Sequence, residues 1–328
     1  MIIPFYAGFP KIKEKPITWA LVLTNVLVFA ATINFQMFGD MEIAEKFDRE
    51  FMVVQGKFFS QFIKSNSDYY DDVHHQLANL TQEGKREKAE ILGHFALRDS
   101  YFRELALGYS FQGDQVELEY WRSNFSQILN LYNEHPSFRW GVSSLSHEWY
   151  HWVSYMFMHG GFWHLLGNLW FLLIVGGALE GIIGGLSYLV LYLGSGVLAA
   201  FTYVFFSGVT AVPLIGASGA ISCLVAFYSI IRWKRKLRFF YWIIPVQPYM
   251  GFINLPAWVG FMYWFLGDLA GFLGQMSSLG GVAYSAHLGG TSVGIICGGL
   301  LYWSKKHGKG LYGYSKRVEP YELVSSSK

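Results

Sequence analysis

From residue 152 to residue 303 the chain is apolar almost without interruption, and its charges there are confined to Glu180, Asp268 and a basic cluster between Arg232 and Arg238. A helix that crosses hydrocarbon needs about 20 mostly apolar residues, because only helices and closed barrels satisfy every backbone polar group without water. Segments 155–179, 185–206, 218–233, 252–273 and 284–303 meet that requirement, and segment 16–33 adds one upstream. Charged residues make up 15% of the chain, against about 25% in a soluble protein. The deficit is uneven, since residues 34–150 are as polar as a soluble domain. The expected fold is an all-α membrane protein, a bundle of six transmembrane helices with a long outer insertion between helices 1 and 2.

Orientation follows from the basic residues. With the N-terminus in the cytoplasm, cytoplasmic segments hold Lys11, Lys13 and Lys15, then Arg232, Lys234, Arg235, Lys236 and Arg238, then Lys305, Lys306, Lys309, Lys316, Arg317 and Lys328. Loops 207–217 and 274–283 hold no Lys or Arg. An even number of spans with both termini inside fits this asymmetry. The organisation expected is a cytoplasmic N-terminus at 1–15, a first span at 16–33, an extracytoplasmic insertion at 34–151, a five-helix core at 152–303 and a cytoplasmic tail at 304–328. In a bacterial cell this is a multi-pass protein of the cytoplasmic membrane. The insertion carries 11 Lys or Arg against 18 Asp or Glu, and long translocated segments are exempt from the charge rule. Apolar residues recur at helical spacing over 42–59 and 115–132, so it reads as a small helical domain or as helices lying on the membrane. Gly113-Asp114 and His135-Pro136 read as punctuation.

Segment 16–33 follows three lysines as a signal peptide would. The bulky Val28 in Val28-Phe29-Ala30 makes a poor cleavage site, so an uncleaved helix is expected. The two cysteines, Cys223 and Cys297, lie in apolar segments and read as small buried hydrophobes rather than a disulfide. The basic cluster reads as a cytoplasmic loop against anionic lipid, with no nucleic-acid partner.

Ionisable and polar groups inside spans are costly, which makes each a functional candidate. His159, His164, Asn168, Glu180, Ser218, Asp268 and His287 are those groups. Ser218 follows Pro213 in Gly216-Ala217-Ser218-Gly219, where a loop ends and a helix begins. A helix N-terminus offers unpaired N–H groups to a developing oxyanion; the bland reading is an N-cap serine. A serine nucleophile needs an adjacent base, and the neutral imidazole of His287 suits that role. Gly290, Gly294 and Gly298 follow it as a smooth stripe for helix contact, and Ser218, Ser222 and Ala226 form a matching one. Packing the two stripes brings Ser218 to His287. His164 and Asn168 share a helix face and both donate hydrogen bonds. Asp268 reads as a structural hydrogen-bonding residue near the outer end of its helix.

Taken in order, these residues resemble the rhomboid intramembrane serine proteases. The run from Tyr155 through His159, Gly160-Gly161 and His164 to Asn168 is similar to the family's second-helix signature of two histidines and an asparagine. Gly216-Ala217-Ser218-Gly219 resembles its nucleophile motif. Ala286-His287-Leu288-Gly289-Gly290 resembles its last-helix motif, and Glu180 stands at a familiar place. The resemblance implies a serine endopeptidase with a Ser218–His287 dyad, for which no third acid is required. Ser218 N–H, His164 and Asn168 would form the oxyanion site, with His159, Gly216, Gly219 and Gly290 in support. It implies no metal or cofactor, substrates that are membrane proteins of the lipid bilayer cut in or near a transmembrane segment, a gate at 252–273 and a lid at 274–283. Two positions depart from the pattern. Many members carry an aromatic residue four after the nucleophile, stacked on the histidine, where this chain has Ser222. The family's Trp-Arg pair before the second helix is replaced by Trp149-Tyr150-His151-Trp152.

Two other readings stand beside this one. His147-Glu148-Trp149-Tyr150-His151 matches H-E-x-x-H, which on a helix sets two zinc ligands beside a general base; a third ligand is not evident. A rhomboid relative can also bind membrane clients without cutting them, although such proteins typically lose the serine or histidine that this chain keeps.

Overall fold

The computed structural model describes residues 2–4, 10–146, 148–208, 210–242, 250–275 and 283–306. In chain order these form β1 (Ile2–Pro4), α1 (Pro16–Glu45), α2 (Arg49–Ser65), α3 (Asp72–Gln82), α4 (Arg86–Ala96), α5 (Ser100–Leu105), α6 (Gln115–Glu134), α7 (Pro136–Trp140), α8 (His151–Ser154), α9 (Phe162–Phe171) and α10 (Gly177–Ile183). There follow α11 (Gly185–Ser207), α12 (Ser218–Ile231), β2 (Lys236–Trp242), β3 (Met250–Pro256), α13 (Ala257–Gln275) and α14 (Tyr284–Lys306). A π-helical turn, Leu172–Gly176, joins α9 to α10, so that Phe162–Ile183 is one apolar rod. The chain divides into two compact units. One contains Met1–Ala30, Trp152–Phe206 and Ile215–Lys328, and the other contains Ala31–His151 and Ser207–Leu214.

Among the described residues, Pro16–Glu45, Phe162–Ile183 and Gly185–Ser207 are long and apolar enough to cross a membrane. α12 is apolar but has only 14 residues. α13 and α14 are interrupted by glycines and polar residues that lower their hydropathy.

Three expectations need correction. The chain is not wholly helical, because β1, β2 and β3 form an antiparallel sheet in that order. Residues 252–256, expected to begin the fifth span, lie in β3, and the helix starts at Ala257 after Pro256. Their apolar run is continuous with that of α13, so hydropathy does not separate them, while the aromatic residues of β2 suit a strand. Residues 155–161, expected in the second span, instead form a short 3₁₀ turn and a break at Gly160-Gly161 before α9.

The second unit has its own core. Phe51, Phe58, Phe59 and Phe62 of α2 pack with Phe102, Trp121 and Phe125, all fully buried or nearly so. Aspartates start four of its helices. Asp48, Asp71, Asp99 and Asp114 each accept from a backbone N–H of the following first turn, satisfying groups that have no intrahelical partner. His135 caps α7, whose first residue is Pro136. α2 and α4 touch backbone to backbone, since a Cβ at Gly56 would stand 1.8 Å from the Ala89 carbonyl oxygen and one at Gly93 would stand 2.0 Å from that of Met52. Residues 207–214 join this unit through bridges from Asp99 to Thr210 and from Val142 to Leu214.

Asp99 gives this unit a pH dependence. Burial pushes its carboxyl up to about 6, outweighing the Phe102 N–H and nearby His74 that favour the anion. A raised folded-state value contributes stability below the unfolded value of 3.8 and loses it as pH rises through the folded one. Hydrogen exchange in α2 and α5, corrected for intrinsic rates, is expected to show stability falling between about pH 4 and 6.5 by on the order of 2–3 kcal/mol. Asp99→Asn keeps an acceptor for the Phe102 N–H and is expected to flatten that window. A slope unchanged in the variant would assign it elsewhere.

Candidate active site

The site is built on the pairing of α12 with α14. A Cβ at Gly290 would lie 1.9 Å from the Gly219 carbonyl oxygen, and one at Gly294 would lie 2.3 Å from that of Cys223. Further along, Gly298 meets Phe227 and Ile230. Two backbones can approach this closely only where a residue without a side chain stands at the contact. The α14 stripe is the one the sequence suggests. The α12 stripe runs through Gly219, Cys223 and Ala226; it keeps the expected Ala226 but is one position round from the expected Ser218 and Ser222. Ser218 and Ser222 are thereby turned off the α14 seam.

Ser218 is the first residue of α12 and is half-buried. The first helical hydrogen bond joins Ile221 N–H to the Ala217 carbonyl, so the N–H groups of residues 218–220 precede the internal ladder. Gly219 faces α14, with its Cβ position 3.5 Å from the Ala286 carbonyl oxygen. Ser218 and His287 therefore each adjoin a residue of the same helix–helix contact. His287 is buried and within electrostatic reach of His164.

The turn before Ser218 is held from α9 and from the segment leading into it. Gly216 adopts φ +109°, a conformation that side chains rarely tolerate, and a Cβ there would lie 2.6 Å from His164 Nε2. Gly216 N–H donates to the Tyr155 carbonyl at 2.9 Å, and the buried Tyr155 hydroxyl donates to the Gly196 carbonyl at 2.8 Å. His159 is fully buried behind His164, with ring centroids 5.0 Å apart, and its Nδ1 lies 3.4 Å from the Phe157 carbonyl. Asn168, one turn beyond His164, donates from Nδ2 to the His164 carbonyl at 2.8 Å, leaving one amide hydrogen for another acceptor. His164, Gly216, Ser218, Gly219, His287 and Gly290 are thus gathered at one end of the α12–α14 pair, with His159 and Asn168 flanking His164.

Residues 146–304 match the family model of the rhomboid domain. The chain carries a rhomboid domain. Over 146 residues it is 25% identical to Rhomboid protein 1, mitochondrial, of Saccharomyces cerevisiae, an alignment covering 43% of this chain and 39% of that protein. The chain therefore spans about two fifths of that relative's length. The rhomboid domain and the apolar helices make this a multi-pass integral membrane protein.

Two features of the rhomboid domain were not anticipated from the sequence. Glu180 does more than close a helix, because its carboxylate accepts from Ile17 N–H at 3.0 Å, Thr18 N–H at 2.8 Å and Thr18 Oγ1 at 2.7 Å. It caps the N-terminus of α1, where a helix favours an anion. The second feature concerns Ser222, where the expected aromatic is missing. Trp264 of α13 donates from Nε1 to Ser222 Oγ at 3.2 Å and lies 6.3 Å from the His287 ring at an interplanar angle of 32°. One turn on, Asp268 Oδ1 lies 2.8 Å from His287 Nδ1. Asp268 was legible as an isolated acid in an apolar helix, but its partner was not.

In the H-E-x-x-H motif, His147 lies outside the described residues. His151 Nδ1 is 2.8 Å from the Gly141 carbonyl oxygen. Among the described residues no group of three His, Cys, Asp or Glu is arranged to hold a metal ion. Most of the expected lid at 274–283, and the tail beyond residue 306, also lie outside the described residues.

Proposed function

We propose that this protein is an intramembrane serine endopeptidase that cuts transmembrane segments of other membrane proteins. The observation that supports it most is the Gly219–Gly290 contact, whose two residues stand next to Ser218 and one helical turn from His287 in sequence, while Gly216 of the turn before Ser218 lies against His164. Ser218 Oγ attacks the scissile carbonyl carbon and its proton passes to His287 Nε2. The oxyanion is met by the Ser218 N–H, with His164 and the free amide hydrogen of Asn168 as side-chain donors. The C–N bond breaks as His287 returns the proton to the leaving amine, and water repeats the sequence to free the acyl-enzyme.

In this reading six spans place both termini on the side of the basic loops. Residues 34–151 lie on the opposite side, and the site lies toward that leaflet. An apolar groove of about 930 Å³ in the rhomboid domain, lined by Trp163, Trp170, Phe171, Tyr228, Phe261 and Trp264, is suited to an apolar transmembrane helix. It lies between the α9 rod and α13, the helix that the resemblance makes a gate.

The test is labelling of the detergent-purified protein with a fluorophosphonate, with the modified residue mapped by mass spectrometry. Labelling at Ser218 is expected, falling by at least about 10³-fold in Ser218→Ala and His287→Ala. A folded wild type that takes no label would turn attention to client binding. Label-free proteolysis abolished by a chelator would turn it to zinc at His147 and His151.

A further inference from the structure

α13 is registered against the α12–α14 pair at three successive levels. Gly271 makes room for the Tyr284 ring, since a Cβ there would stand 2.3 Å from it. Asp268 meets His287 at 2.8 Å. Trp264 bonds Ser222 and flanks the imidazole. Residues 264 and 268 are one helical turn apart and share a face, so a single helix supplies both a wall and an acceptor to the histidine. Both partners of the Asp268–His287 contact are buried. Asp268 Oδ2 has no hydrogen-bond partner among the described residues, which leaves the imidazole as the polar group that compensates the buried carboxyl. A buried acid without such a partner is costly.

We propose that Asp268 is a positioning residue for His287, so that this rhomboid domain works as a Ser218–His287–Asp268 triad mounted across three helices. This rests on the protease reading above and adds to it a group that a two-residue mechanism does not contain. The carboxylate accepts the Nδ1–H of neutral His287, which fixes the tautomer whose Nε2 lone pair is free for the Ser218 hydroxyl. When Nε2 takes that proton, the adjacent carboxylate stabilises the imidazolium and itself gains no proton. Trp264 holds the ring plane from the side, anchored by Ser222. An aromatic residue from α13 thus stands where the resemblance places one from α12. Because both groups ride on α13, the base is aligned only while α13 is seated on α14.

The experiment measures fluorophosphonate labelling of the full chain in detergent as a function of probe concentration, separating the maximal rate from the half-saturating concentration. In that reaction a bond forms from Ser218 Oγ to phosphorus, the P–F bond breaks, fluoride leaves and His287 takes the serine proton. Asp268→Asn is expected to lower the maximal rate by about 10²–10⁴-fold while the half-saturating concentration stays within about twofold. Asp268→Glu, which restores a carboxylate, is expected to recover at least about tenfold of that loss. A maximal rate for Asp268→Asn within about threefold of wild type would overturn the proposal. So would an Asp268→Glu variant no faster than Asp268→Asn.

A second measurement does not depend on whether the Asp268 variants fold. In ¹⁵N-histidine NMR of the wild type, the His287 signal, identified by its loss in His287→Ala, is expected to report a protonated Nδ1. An Nε2–H tautomer would overturn the assignment. A wild type that is not labelled at Ser218 would instead defeat the protease reading, while the tautomer would still decide the Asp268 contact.

Discussion

Gly290→Ala is expected to abolish fluorophosphonate labelling and to lower the stability of the purified protein by at least about 3 kcal/mol, beyond the usual cost of overpacking because backbone rather than a movable side chain is struck. The added Cβ would stand 1.9 Å from the Gly219 carbonyl oxygen and 3.4 Å from the Cys223 N. Neither atom can rotate away, so α12 and α14 must separate by more than an ångström. Gly219 adjoins Ser218 and Gly290 is three residues from His287, so the separation acts on the reacting pair directly, and a displacement of about 1 Å costs an aligned pair roughly 10²-fold in rate. Gly299→Ala is the matched control. It lies on the same helix, and its Cβ would meet nothing within 4 Å. It is expected to label and melt as wild type does. Equal melting temperatures for Gly290→Ala and wild type would show that the two helices are not held by this contact.

Some of this architecture was legible because it is written in one-dimensional patterns. Gly290, Gly294 and Gly298 recur every four residues and do face a partner helix. Gly113-Asp114 and His135-Pro136 do punctuate, as caps of α6 and α7. What failed were features set by rotation and by long-range contact. A helical period gives a stripe but not its absolute phase, and at Gly219 and Cys223 the α12 seam sits one residue round from the stripe that small side chains alone suggest. That single step matters, because it frees Ser222 to receive Trp264. The missing aromatic looked like a defect when α12 was read alone, whereas the contact is completed by a residue 42 positions away. Asp268 was read as a hydrogen-bonding residue, which it is, but its partner was not legible for the same reason, since it depends on which way α13 faces. The sheet was missed because the apolar residues of β3 merge with those of α13, and a short apolar run does not declare its backbone.

Gly216→Ala is expected to spare the fold and damage the chemistry. Two independent constraints act on this residue. Its φ of +109° is one that an L side chain adopts only at a cost of about 1–3 kcal/mol. A Cβ would also stand 2.6 Å from His164 Nε2 and 2.7 Å from its Cε1. The imidazole is a movable side chain, so the strain is expected to be relieved by swinging His164 aside while α12 and α14 stay paired. If His164 is an oxyanion donor, the labelling rate falls by about 10²–10³-fold, the loss typical of removing one such donor. The change in melting temperature should then be small beside that of Gly290→Ala. His164→Ala is expected to show a similar rate loss, and the double variant to be little slower than either single one, because both changes remove the same interaction. Additive losses in the double variant would separate the two residues and leave Gly216 acting on the Ser218 turn alone, through its bond to the Tyr155 carbonyl.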